Sequence, residues 1–284
     1  MTDERTETSE VQSAVRKRYA EVAEHGPPNR DLPGRVARTA GYSDADLETV
    51  PEGANLGLGC GNPVALATLR PGEVVLDLGS GAGFDALLAA RAVGEHGRVI
   101  GVDMTAEMVE KARANAAKLH LSNVEFRLGA IENLPVADDS IDVIISNCVI
   151  NLSPDKPRVF AEAYRVLRPG GRLLISDLVS LDELPASVRT SIAAYVGCIA
   201  GVSLKEHYLR MLRDVGFAQV EILQEKRAAE MLGISDLASA SCACADPLAA
   251  GLVGDLLTSA PLPDLLRAAE LVVSVQFAAH KPAK

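Results

Sequence analysis

Five cysteines stand at positions 60, 148, 198, 242 and 244. Cys60 lies in Gly57-Leu58-Gly59-Cys60-Gly61-Asn62-Pro63, a glycine-rich loop. Cys148 follows Ser146-Asn147 at the end of an apolar run, and Cys198 lies in Tyr195-Val196-Gly197-Cys198-Ile199-Ala200-Gly201. Taken singly, a buried cysteine is most often a small apolar residue. Taken together, thiols on three segments around one pocket offer soft ligands to a thiophilic centre. Structural zinc wants four ligands, often in C-x-x-C pairs, and these three cysteines offer neither. The N-terminus has no apolar leader, which predicts a cytoplasmic protein with reduced thiols. An odd cysteine count there does not read as a disulfide framework. Cys242-Ala243-Cys244 reads best as two small residues in an alanine-rich segment; the sharper alternative is a delivery site in which both sulfurs grip one ion.

A second group of residues points to a nucleoside-type cofactor. Val75-Leu76-Asp77-Leu78-Gly79-Ser80-Gly81-Ala82-Gly83 runs from a strand into a glycine turn and then a helix. Glycines allow backbone to approach a ligand where a Cβ would clash. The spacing is G-x-G-x-G, not the G-x-G-x-x-G that cradles a pyrophosphate at a helix N-terminus. Asp103 ends the next strand, where a carboxylate accepts from both ribose hydroxyls. Met104 follows it. Gly129-Ala130-Ile131-Glu132 comes after the third strand, in position to flank an adenine, and Asn147 follows the fourth. The structural alternative is a tight turn and a helix-start carboxylate, but strand, turn, helix and second-strand acid agree in order and spacing.

The elements that must hold these residues alternate. Apolar runs at Val74 to Leu78, Arg98 to Val102, Val124 to Leu128, Ile141 to Ile145 and Arg172 to Leu178 predict buried parallel strands. Helices are predicted at Pro63 to Leu69, Phe84 to Val93, Ala106 to Leu119 (N-cap Thr105), Lys156 to Leu167 and Leu204 to Val215. The pattern is α/β, a doubly wound Rossmann-like sheet. Glu10 to Glu24 predicts an amphipathic helix after a frayed tail at 1–9, followed by a loop to about Pro51. Asp182 to Gly201 reads as a mainly helical insertion and Val220 to Leu223 as a late edge strand. The division is 1–48 as N-terminal helix and loop, 49–225 as cofactor-binding domain with the insertion, and 226–284 as a small C-terminal α+β domain.

Composition narrows the partners. The formal net charge is −10 and 48% of residues are hydrophobic, so a large core forms and no basic footprint for nucleic acid exists. No apolar stretch reaches the ~20 residues of a membrane span. After the fourth strand stands Ser146-Asn147-Cys148-Val149, without the Asn/Asp-Pro-Pro-aromatic motif of nucleic-acid amine methylation. His96, His120, His207 and His280 show no metal-ligand spacing, and His25 sits in a solvated turn. Asp138-Asp139-Ser140 reads as a turn before the fourth strand, and Asp177, after the fifth, reads best as a structural hydrogen-bonding residue, the alternative being a place facing the acceptor pocket.

The glycine turn and Asp103 resemble the class I methyltransferase core, which makes the implied cofactor S-adenosyl-L-methionine. The resemblance sharpens in Asn55 to Pro63, Val75 to Asp85, Gly101 to Asn115, Leu134 to Val143, Ser146 to Lys156 and Tyr195 to Gly201. These stretches resemble the arsenite methyltransferase family over roughly residues 42–224. It implies that Cys60, Cys148 and Cys198 bind trivalent arsenic and serve catalysis. It implies cofactor contacts from Asp77, Gly79, Ser80, Gly81, Gly83, Asp103, Met104, Ile131, Glu132 and Asn147. It also implies repeated methylation of arsenite in detoxification, supported by a thiol reductant of the glutathione or thioredoxin type. Many members carry a further cysteine in the N-terminal loop, linked to disulfide chemistry with the one matching Cys60. The corresponding segment, Ala23 to Arg30, has none, so resetting after methyl transfer stays open. Two other functions compete: C- or O-methylation of a small apolar acceptor of the quinone type, and metalloid binding without turnover.

Overall fold

The computed structural model describes residues 3–27, 30–227 and 260–283. At its centre lies a seven-stranded sheet in the order β3-β2-β1-β4-β5-β7-β6. The strands are β1 (Val74–Leu78), β2 (Arg98–Asp103), β3 (Val124–Leu128), β4 (Ile141–Asn147), β5 (Leu167–Ser180), β6 (Ala218–Arg227) and β7 (Val272–His280). The first five run parallel, while β7 pairs antiparallel with both β5 and β6.

Alternation along each strand sends side chains to opposite faces, and both faces are covered. Leu76, Leu78, Ile144, Ile175 and Phe277 face one core with helices α7 (Lys156–Val166) and α10 (Lys205–Val215). Val75, Val143, Ile145 and Leu174 face the other, with α4 (Pro63–Ala67), α5 (Phe84–Val93) and α6 (Ala106–Lys118). This three-layer packing leaves the carboxyl ends of β1, β2 and β4 as one open edge. Ligands bind there in open α/β sheets, because the strand order reverses about β1.

Three expectations are corrected. The N-terminal helix α1 spans Asp3–His25, so residues 3–9 are helix and not a frayed tail. Those residues are polar, and apolar periodicity says nothing about a helix without an apolar face. The loop expected up to Pro51 contains α2 (Leu32–Ala40) and α3 (Asp44–Thr49). α3 is fixed by a capping box in which Ser43 Oγ accepts from Asp46 N and the Asp46 carboxylate accepts from Ser43 N. Finally, β7 lies inside the main sheet and not in a separate C-terminal domain. A continuous apolar run does not declare which sheet it joins. The helix α11 (Leu262–Leu271) leads into it. The insertion after β5 carries two short helices, α8 (Ala186–Arg189) and α9 (Ile192–Val196). Cys242 and Cys244 lie outside the described residues. Among the described residues, no helix is long and apolar enough to cross a membrane.

Candidate active site

The glycine turn begins where β1 stops. Gly79, Gly81 and Gly83 all have positive φ, and Ser80 N donates to Val102 O on β2 at 3.0 Å. A Cβ at Gly79 would lie 2.3 Å from Val149 Cγ2, so both conformation and space demand glycine. Asp103 ties the turn to β2: its carboxylate accepts from Gly81 N and Thr105 N, each at 2.9 Å. Burial pushes its pKa up, and those two N–H groups oppose the rise.

A cavity opens over this edge. Its wall includes nine of the ten cofactor residues named from sequence: Asp77, Gly79, Ser80, Gly81, Asp103, Met104, Ile131, Glu132 and Asn147. Gly83 is outside the wall; it packs inward, where a Cβ would meet Phe126 Cζ at 2.9 Å. Gln12, Val15 and Tyr19 of α1 roof the cavity, so the N-terminal helix is part of the site.

Sequence reasoning missed Tyr42 and Asp85 as site residues. Tyr42 Oη donates to Asp85 Oδ1 at 2.5 Å, and Asn147 Nδ2 donates to Asp85 Oδ2 at 3.0 Å and Gly61 O at 2.8 Å. Asp85 was discoverable as the one acid in an alanine- and leucine-rich helix; nothing local marks Tyr42. Burial pushes Asp85 up to about 6, against the lowering effect of Tyr42 and Asn147. Asp77 is pushed well above the carboxylate range by burial and by the neighbouring charges of Asp85 and Asp103. Asp77 Oδ2 and Ser80 Oγ are buried without a hydrogen-bond partner. A buried acceptor with no donor, in the wall of a cavity, fits a ligand ammonium group. With Asp103 beyond the turn, the wall suits an amino-acid-bearing nucleoside such as S-adenosylmethionine.

The thiol side is built differently. Cys148 lies directly after β4 and in the cavity wall, with φ +56 and its N–H donating to Ser176 O at 2.8 Å. Its sulfur is bonded to that of Cys60, with Cα atoms 5.8 Å apart. This corrects the reading that the cysteines carry no disulfide: spacing in sequence does not reveal that β4 and the Cys60 loop meet. Cys60 is fastened by three strands. Its N–H donates to Asn147 Oδ1 at 2.9 Å, Ser274 Oγ donates to its carbonyl at 2.9 Å, and its sulfur touches Ser176 O at 3.4 Å.

Cys198 is buried as a free thiol, also left-handed with φ +64. Its Sγ donates to Cys148 O at 3.1 Å, and Tyr19 Oη lies 3.9 Å away. Burial first, then the charge of Asp177, pushes Cys198 up to about 12. Non-glycine residues in left-handed backbone are uncommon and cluster at functional sites. Cys60 Sγ, Cys148 Sγ and an Asp177 carboxylate oxygen lie within 4.8 Å of one another, a group that does not include Cys198. Asp177 accepts from Asn151 Nδ2 at 2.8 Å and Tyr208 Oη at 3.2 Å, and burial pushes it to about 7. The sequence expectation of a hydrogen-bonded Asp177 holds.

Strand order, glycine turn and the acid ending β2 define a class I methyltransferase domain, and a family model described as a methyltransferase domain matches residues 69–216. The chain is 48% identical to an arsenite methyltransferase of Halobacterium salinarum over 242 residues, covering 78% of this chain and 61% of that protein. It is 37% identical to a human arsenite methyltransferase over 183 residues, 59% of this chain and 49% of that one. The crystal structure of an arsenic(III) S-adenosylmethionine methyltransferase from Chlamydomonas reinhardtii superposes with a TM-score of 0.60 at 35% identity, covering 88% of this chain and 74% of that one. The chain belongs to the arsenite methyltransferase family. It spans about half to three-fifths of the length of the curated relatives named here.

Proposed function

We propose that this chain moves the methyl group of S-adenosylmethionine to trivalent arsenic held by the thiols of Cys60, Cys148 and Cys198, as a step in arsenic detoxification. One observation carries the reading. Cys148 stands in the wall of the cofactor cavity, bonded to Cys60 and with its carbonyl against the Cys198 thiol.

The bound cofactor supplies an electrophilic methyl group on a sulfonium. Asp77 and Asp85 would accept from its ammonium group and Asp103 from its ribose hydroxyls, and Ile131 and Glu132 would flank its adenine; all five line the cavity. Asn147 locks the Cys60 loop to the end of β4, which fixes the approach of the two reacting atoms. Cys198, held as a neutral thiol, exchanges with an arsenic hydroxyl: an As–S bond forms, and the thiol proton leaves with the hydroxyl as water. The arsenic lone pair takes the methyl group, so no general base is needed. Transfer leaves pentavalent arsenic, and return to the trivalent state takes two electrons. Cys60 and Cys148 supply them: both of their bonds to arsenic break as the disulfide between them forms, leaving trivalent arsenic on Cys198, and an external thiol of the glutathione or thioredoxin type reopens the disulfide. This pairing takes over the resetting role that the missing N-terminal cysteine leaves vacant.

The test is methyl transfer by reduced protein with S-adenosylmethionine, a thiol reductant and either arsenite or monomethylarsonous acid, products separated by arsenic speciation. Methylated arsenic is expected. Its absence with both substrates, while cofactor still binds, overturns the reading in favour of a C- or O-methyl acceptor.

A further inference from the structure

Lys156 is the first residue of α7, directly after the N-cap Asp155. A helix N-terminus carries the positive end of the helix dipole, so a cation there is unfavourable unless a group outside the helix holds it. Lys156 is half-buried, and its Nζ donates to Gly201 O at 2.7 Å. Gly201 belongs to the turn of the insertion that carries Cys198. Burial lowers the Lys156 pKa, and the charges of Asp177 and Cys198 oppose that fall. The methyl-transfer chemistry gives this ammonium no task.

The Cys198 turn needs an external fastening. It follows the short helix α9, and its backbone bonds stay within the insertion: Cys198 N donates to Tyr195 O, while Ile199 N and Ala200 N both donate to Ala194 O. Cys198 has left-handed backbone, a conformation that persists only where its surroundings hold it. Among the described residues, two hydrogen bonds carry the turn onto the segment that follows β4. One runs from Cys198 Sγ to Cys148 O at 3.1 Å, the other from Lys156 Nζ to Gly201 O. A Cβ at Gly201 would lie 2.1 Å from Asn151 O, so backbone meets backbone at this point. The two bonds differ in one respect. Cys198 loses its S–H proton when its sulfur bonds arsenic, and it can then no longer donate to Cys148 O. The Lys156 bond is the one that survives capture.

We propose that Lys156 is a positioning residue for arsenic capture, clipping the Cys198 turn to the segment after β4 so that the Cys198 sulfur stays beside Cys148. The inference rests on the arsenic reading above and adds to it a residue that touches neither arsenic nor cofactor.

The experiment is arsenite binding to reduced full-length protein carrying Cys242→Ser and Cys244→Ser, so that only the three site thiols remain. Lys156→Met keeps the apolar stem and removes the donor. It is expected to weaken arsenite about tenfold in that protein and in its Cys60→Ser form, where Cys198 still takes part. In the Cys198→Ser form the loss should be less than about twofold. S-adenosylmethionine affinity should stay within about twofold throughout. A substitution that only loosened the fold would act alike in every background, so equal weakening in Cys60→Ser and Cys198→Ser overturns the proposal. A second arm uses no arsenic and follows amide hydrogen exchange in the oxidised protein. Lys156→Met should speed exchange about threefold over residues 195–203 and leave residues 77–83 unchanged. Unchanged exchange over 195–203 overturns the proposal as well. If the protein with Lys156 intact binds no arsenite, the arsenic reading fails, and the exchange arm still decides whether Lys156 holds the turn.

Discussion

The cofactor side and the thiol side of the cavity share one sheet edge but are assembled in opposite ways. The cofactor side comes from near neighbours: the glycine turn, Asp77 and Asp85 lie within one strand-turn-helix, and Asp103 ends the adjacent strand. The thiol side joins distant segments. Cys60 and Cys148 are 88 residues apart, and Ser274 reaches Cys60 across 214. The first half is a motif, and the second exists only once the sheet has closed. A cofactor site of this kind suits many acceptors, and in the proposed function it is the thiol side that sets the acceptor.

If the two sides are separable, changes on one should spare the other. The largest effect is expected for Cys148→Ser, which should abolish arsenic methylation while S-adenosylmethionine affinity, read by calorimetry, stays within about twofold. Loss of cofactor binding would show the sides to be one unit. Gly79→Ala comes next. It forces a Cβ into Val149 and a left-handed residue, costing roughly 1–3 kcal/mol and weakening cofactor binding more than tenfold. Reduced Cys198 should still take up arsenite in that variant, as followed by thiol titration.

The pH dependence sharpens the same contrast. Asp85 is raised to about 6 in the folded protein, so below that it is neutral and a poor partner for an ammonium group. Cofactor affinity should rise about tenfold between pH 5 and 7 and then level off, and Asp85→Asn should flatten the rise. Stability of the cofactor-free protein should move the other way. A carboxyl raised on folding contributes fully below its unfolded pKa, and that contribution is lost as pH climbs through about 6. The smallest effect is expected for Ser274→Ala, which removes one buried hydrogen bond to the Cys60 carbonyl. About 1 kcal/mol of stability should be lost in thermal unfolding, with cofactor affinity unchanged.

This contrast also explains what could be read in advance. β1, α5 and β3 fall where apolar runs and glycine punctuation put them, because those signals are local. Asp77, Asp103 and Asn147 follow from strand ends for the same reason. The disulfide was invisible, since pairing of Cys60 with Cys148 depends on how the loop before α4 settles on β4 and β5. β7 was misassigned because its apolar run names no partner strand. Its polar exceptions, Ser274 and Gln276 at alternate positions, were the available clue.

The most direct measurement is X-ray absorption at the arsenic edge, on reduced protein loaded with arsenite and S-adenosylhomocysteine. Three sulfur neighbours are predicted in the parent protein, falling to two in Cys198→Ser and two in Cys60→Ser. Coordination by oxygen alone, or a sulfur count that neither substitution changes, would contradict an acceptor site built from these three thiols.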